Sequence, residues 1–268
     1  MKNRIEQKFF ELSKKQTKAL ACFITSGDPT EKIFEQILFS LPSHGADIIE
    51  IGLPFSDPMA DGPTIQKSSQ RAIKSGININ KTLKIISKFR ENDLKTPIIL
   101  MGYFNPIFQY GLNNFFSHGK SAGIDGLIIV DLPPEEDYLI ENFTEKFCIH
   151  NIRLITPTTN EERIKKISSV SKGFLYYVSV LGITGTKKPS IKEVKKSLMK
   201  IKKITNLPVL VGFGIDSNKQ ISQLNTFSNG CVVGSALVKI IESYATNKFS
   251  KLTLFKKIKN FLKFLKKR

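Results

Sequence analysis

Eight short apolar runs recur along the chain, and each is closed by Gly, Pro or polar residues before a stretch with helical spacing. They are Ala19–Ile24, Ile48–Ile51, Pro97–Tyr103, Gly126–Val130, Arg153–Thr156, Phe174–Ser179, Pro208–Val211 and Gly230–Val233. Strands buried on both faces of a parallel sheet read as such runs rather than as strict alternation. Strand–helix alternation argues for a parallel sheet, and eight repeats argue for a closed barrel. The predicted fold is therefore α/β, a (βα)8 TIM barrel. An extra N-terminal helix covers residues 4–15, and extra helices near the C-terminus start from Ala236 and Leu252. The alternative is an open doubly wound sheet. That fold would want G-x-G-x-x-G after its first strand, and Ser26-Gly27-Asp28 is not one. No composition shift marks a linker, and 268 residues suit a one-domain barrel, so residues 1–268 are expected to form a single domain.

Several chemistries find no support. The cysteines Cys22, Cys148 and Cys231 are odd in number and lack CxxC spacing, which suggests neither a disulfide framework nor a zinc site. His44, His118 and His150 fall on or near predicted helices and read as surface residues, so no metal is expected. No GxSxG elbow is present, and no predicted strand ends in a lysine placed for covalent amine chemistry. The first residues lack the apolar core of a signal peptide, no apolar run is long enough to span a bilayer, and a reducing cytoplasm is expected. The net charge of +18 could signal nucleic acid or an acidic membrane surface. Lysine reads as spread along the chain, without a recognition-helix or zinc-finger signature, so neither partner is expected. The basic C-terminal segment from Leu252 reads as a last barrel helix with a solvated face.

The chemistry collects where barrels carry it, at the C-terminal ends of the strands. The second run sets Glu50 among isoleucines, and Glu is almost never buried without compensation. Gly52, Pro54, Pro58, Gly62 and Pro63 then force an ordered loop that carries Asp57 and Asp61. Two carboxylates, one in apolar surroundings and one in a loop, fit divided acid–base roles. The bland alternative is a solvated loop whose aspartates only make turns. Gly212-Phe213-Gly214 and Gly234-Ser235 follow the seventh and eighth runs, where barrels cradle phosphate on backbone N–H groups, and Gly185 lies in a Gly-rich basic loop after the sixth. Phe23, Ile65, Tyr103, Val130, Tyr176 and Phe213 can line an apolar pocket. The chain reads as carboxylate acid–base chemistry on a phosphorylated, largely apolar substrate.

The run from Glu50 to Gln66, with Arg71-Ala72 and Gly76 behind it, resembles the signature of the tryptophan synthase alpha subunit family. Ser179–Gly185, Gly212–Ile215 and Val233–Ala236 are similar to the family's mobile loop and phosphate segments, and the likeness runs through essentially the whole chain. It implies a lyase of tryptophan biosynthesis that cleaves indole-3-glycerol phosphate to indole and glyceraldehyde 3-phosphate. It further implies no cofactor in this chain, with pyridoxal phosphate (PLP) in a β subunit that takes the indole within an αββα heterotetramer. Position by position, Glu50 matches the acid/base, Asp61 the carboxylate facing the indole N–H, and Tyr176 the active-site tyrosine. Gly185, Gly214, Gly234 and Ser235 match the phosphate binders, and Thr184 the loop residue that meets Asp61 on closure. Pro54, Asp57, Asn105 and Asp131 fall on segments that the resemblance turns toward the β subunit. Ser228-Asn229-Gly230-Cys231 departs from the usual pattern, and Lys187-Lys188 makes the mobile loop unusually basic. Another phosphate-binding barrel enzyme of amino-acid biosynthesis, or a non-catalytic activator of a β subunit, stay as alternatives.

Overall fold

The computed structural model describes residues 3–179, 190–212, 214–215 and 217–266. Its strands are β1 (Ala19–Thr25), β2 (Ile48–Gly52), β3 (Ile98–Gly102), β4 (Gly126–Ile129), β5 (His150–Asn151), β6 (Arg153–Ile155), β7 (Leu175–Val178), β8 (Val209–Gly212) and β9 (Gly230–Val233). All pairings are parallel, in the order β5-β4-β3-β2-β1-β9-β8-β7-β6. β6 is the fifth predicted strand, and β5 is a two-residue stub ahead of it that the sequence reading did not include; Ile152 separates the two and the pair fills the fifth position of the barrel. β5 pairs with β4 and β6 with β7, so the fifth position closes the barrel.

The helices are α1 (Arg4–Lys14), α2 (Glu31–His44), α3 (Pro63–Lys74), α4 (Ile79–Arg90), α5 (Phe104–Tyr110), α6 (Leu112–Ala122), α7 (Glu141–Phe147), α8 (Glu161–Val170), α9 (Ile191–Ile204), α10 (Asn218–Asn225), α11 (Ser235–Ala245) and α12 (Lys251–Lys266). α5 departs from expectation. Phe104-Asn105-Pro106 read as a loop, yet a short helix starts there, because Pro tolerates a first helical turn. Residues 135–147 read as one helix but divide into a 3-10 turn, Pro134–Leu139, and α7.

The period of two along each strand separates two cores. Leu20, Cys22 and Ile24, Ile49 and Ile51, or Val209 and Val211 face the helices. Ala21, Ile48, Ile99, Ile128, Leu210 and Val232 face inward and fill the lower barrel. Helix α1 closes that end: Ile5 and Leu12 join the inner cluster, and the Phe9 ring lies 5.8 Å from Phe174. Asn3 caps α1 by accepting from the Ile5 N–H at 2.9 Å, and its amide donates to the Asp125 carbonyl at 2.8 Å. The Asp125 carboxylate in turn accepts from Arg4, Arg90 and the Ile98 N–H, each at 2.9 Å. One buried carboxylate thus ties α1, α4 and β3 together.

His150 is a correction. It does not lie on the surface but is buried in β5, where its Nε2 sits 3.3 Å from Glu6 of α1. Burial lowers its pKa. His118 is exposed and bonds Tyr110 at 2.9 Å, and His44 is half-buried at the end of α2.

Candidate active site

With the lower barrel filled, the inward positions one step higher are Phe23, Glu50, Met101, Leu154 and Tyr176. Register sets Glu50 of β2 between Phe23 of β1 and Ile99 of β3. Its side chain is fully buried, and neither carboxylate oxygen has a hydrogen-bond partner among the described residues. Burial pushes its pKa up to about 8, because an unpaired charge in an apolar site is costly. The acid is therefore neutral over much of the neutral range and can exchange a proton there.

Tyr176 enters from β7, and its phenol pKa is raised by burial and by the nearby Glu50 carboxyl. Its position depends on a residue that sequence reasoning did not single out for this purpose. A Cβ at Gly212 would sit 2.8 Å from the Tyr176 ring and 2.9 Å from its hydroxyl. Gly52 does the same for Phe23, whose ring tip would meet a Cβ there at 2.5 Å. Both glycines end inner strands, and their missing side chains let the two aromatic rings lie across the barrel mouth. Their place after an apolar run was the available signal, but only the paired ring supplies the reason.

Asp61 lies on the loop after β2. Burial raises its pKa to about 6, partly offset by a hydrogen bond from the Tyr103 hydroxyl at 3.2 Å. The same hydroxyl accepts from the Ala60 N–H at 2.9 Å, and the Tyr103 ring stands 5.3 Å from Phe55. Tyr103 was expected as a wall of the pocket; it also pins the Asp61 loop to the end of β3. A second clamp was not anticipated. Arg71 of α3 makes a bidentate pair with buried Asp28, at 2.7 and 2.9 Å, and so fixes the helix that follows the loop.

Phe23, Ile65, Tyr103 and Val130 do converge, with Asp61, Leu53, Met101 and Thr25, on a narrow cavity of about 20 Å³. That is room for roughly one water. Gly214 has a left-handed φ of +60°, and Gly234 and Ser235 open α11, whose first N–H groups point out of the barrel top. Their strands are neighbours, with Gly212 level with Val232. Gly185, Thr184 and Phe213 lie outside the described residues. Asp57 is exposed and accepts from the Ser56 hydroxyl at 2.5 Å, and Pro54 is half-buried beside it. Asp131 is exposed and accepts from the Phe104 N–H at 2.8 Å, at the start of α5, which brings it next to exposed Asn105. These four positions share the rim around the mouth. Among the described residues no group of His, Cys, Asp and Glu could hold a metal ion.

The family model described as tryptophan synthase alpha chain matches residues 9–266. A tryptophan synthase alpha chain from Geotalea daltonii is 46% identical over 242 residues, spanning 90% of this chain and 91% of the relative. The crystal structure of tryptophan synthase subunit alpha from Legionella pneumophila str. Paris superposes with a TM-score of 0.91 at 37% identity, covering 99% of this chain and 97% of that one. An aminoacrylate-bound tryptophan synthase from M. tuberculosis gives 0.86 at 26% identity, covering 98% of each chain.

Proposed function

Because this chain belongs to the tryptophan synthase alpha chain family, and so is a lyase that cleaves indole-3-glycerol phosphate to indole and glyceraldehyde 3-phosphate, we propose that Glu50 and Asp61 divide the acid–base work of that reaction. Cleavage breaks the bond between indole C3 and the adjacent glycerol carbon. One proton must reach C3, and one must leave the hydroxyl that becomes the aldehyde. Protonating C3 dearomatises the ring and builds positive charge on N1. The electron pair of the broken bond then restores the indole, and the two proton transfers balance.

Glu50 is the group that gives and takes these protons. The supporting observation is its burial without a partner, which holds its pKa near 8 and keeps it protonated at the outset. Asp61, ionised above about pH 6, accepts the indole N–H and stabilises the charge that develops there. Tyr176 and Phe23 position the indole plane. Gly214, Gly234, Ser235 and Gly185 offer N–H groups to the phosphate, where the N-terminus of α11 adds a favourable dipole. Thr184 and Phe213, outside the described residues, are assigned to the same site on the family resemblance alone.

A β-subunit partner comes with the family. We assign its docking surface to the rim of Pro54, Asp57, Asn105 and Asp131, in an αββα tetramer whose PLP belongs to the β subunit. The chain acts as one domain in the cytoplasm. No helix among the described residues is long and apolar enough to cross a membrane.

The deciding experiment is indole release from indole-3-glycerol phosphate by Glu50→Gln. General acid–base help is typically worth about 10²–10⁴-fold, and a loss of that size with an unchanged circular dichroism spectrum is expected. Near-normal turnover would remove Glu50 from the mechanism. Asp61→Asn should lose activity yet still bind glycerol phosphate; loss of both would mean a misfolded loop.

A further inference from the structure

The chain's positive charge is not spread over the fold as it is over the sequence. Three neighbouring helices, α9, α10 and α12, carry thirteen lysines. Their only carboxylate is Glu193, which is engaged in the capping box with Ser190. The net surplus of twelve is two-thirds of the chain's +18. The three helices are side by side: the Asn218 amide of α10 donates to the Phe264 carbonyl of α12 at 2.8 Å, and Leu198 and Ile201 of α9 share a core with Leu224 of α10. All of these lysines except half-buried Lys200 are exposed. At about 1.5 Å per residue and 8–10 Å between helices, the face measures roughly 20 Å each way.

We propose that this face seats the protein reversibly on an anionic membrane surface. The face is the convex outer wall of the barrel, away from the mouth. Lys266 pairs with Asp47 at 2.9 Å and Lys200 with Glu161 at 3.7 Å; a bilayer is flat and laterally fluid, so anionic headgroups can gather under the other lysines. A nucleic acid duplex is itself convex and would meet this wall along a line. The helices contain lysine and no arginine, which suits point-charge attraction to headgroups rather than bidentate reading of bases. Met199, Leu252 and Phe264 stand exposed among the lysines, where a headgroup layer accepts apolar tips and a phosphate backbone gives them nothing. Each lysine near an anionic leaflet adds to the attraction, so the binding grows with the number of lysines on the face.

The test is flotation of the full chain with vesicles of phosphatidylglycerol and phosphatidylcholine, against vesicles of phosphatidylcholine alone. Binding is expected on the anionic vesicles only, and lost on going from about 0.1 to 1 M salt as the Debye length shrinks from about 10 to 3 Å. The variant Lys196→Glu/Lys203→Glu/Lys259→Glu/Lys263→Glu should bind at least about tenfold more weakly and still release indole. A control, Lys74→Glu/Lys84→Glu/Lys95→Glu/Lys120→Glu, has the same net charge and should keep most of the binding. Equal loss in the control would mean that total charge, and not this face, is responsible. No flotation of the unaltered chain, or tighter binding to duplex DNA than to the vesicles, would likewise overturn the proposal.

Discussion

Glu50 is costly to keep. Its pKa rises from 4.5 to about 8 on folding, so between those values the folded chain holds more protons than the unfolded one. Stability from this group is therefore full below about pH 4.5 and is lost as pH rises through about 8. Glu50→Gln should melt higher than the parent at pH 8, by an amount on the order of a few kcal/mol, and the gap should close toward pH 4.5. Thermal melts across that range would show it, and a pH-independent gap would contradict the buried, unpaired acid. Catalysis depends on the protonation of both carboxylates, with opposite signs. Activity should fall below about pH 6 as Asp61 is protonated, and above about pH 8 as Glu50 loses the proton it must deliver. A bell-shaped kcat/KM profile for the free chain is the expected readout; a flat profile would separate these groups from the chemistry. Both carboxylates were legible in the sequence, Glu50 because an acid inside an apolar run needs a reason. Gly212 was not, because its role is defined by the Tyr176 ring, which comes from another strand. Gly212→Ala should raise KM and lower kcat by displacing that ring while leaving the melting point nearly unchanged, measurable by steady-state indole release.

At the level of elements, most of the barrel was readable. The runs at 19–24, 48–51 and 230–233 fall within strands of almost the same bounds, because burial on both faces leaves a continuous apolar signature. The sequence places helices near 112–122, 161–170 and 191–204, and the structure has them there. What failed was short or interrupted. α5 has seven residues and a proline, too little for a period. β5, just ahead of the expected run at Arg153–Thr156, was missed because two residues are too short to show a pattern. His150 looked like a surface residue because the partner that draws it inward, Glu6, is far away in the chain. The same distance hides Asp125. Replacing it with Ala would leave the Arg90 guanidinium buried without its counter-charge and release α1, at a cost of about 3–5 kcal/mol. Urea unfolding would measure that loss, and a change below about 1 kcal/mol would mean that the carboxylate is dispensable.

For the whole molecule, closure is unevenly secured. β1 and β2 pair over five residues, whereas β5 pairs with β4 over two. Amide exchange should accordingly be fastest, among the barrel strands, at Asn151–Arg153, and mass-resolved exchange of the native chain would locate it. Protection there equal to that of β1 would show that the break does not weaken the ring. The opposite ends of the barrel also differ. The lower end is filled by Ile48, Ile99, Ile128 and Leu210 and stoppered by α1, while the acids, the glycine N–H groups and the rim residues all sit at the other. The vessel is blind at one end. Precursor and product must share a single doorway, so a subunit seated on that doorway would decide whether the freed indole ever meets bulk water.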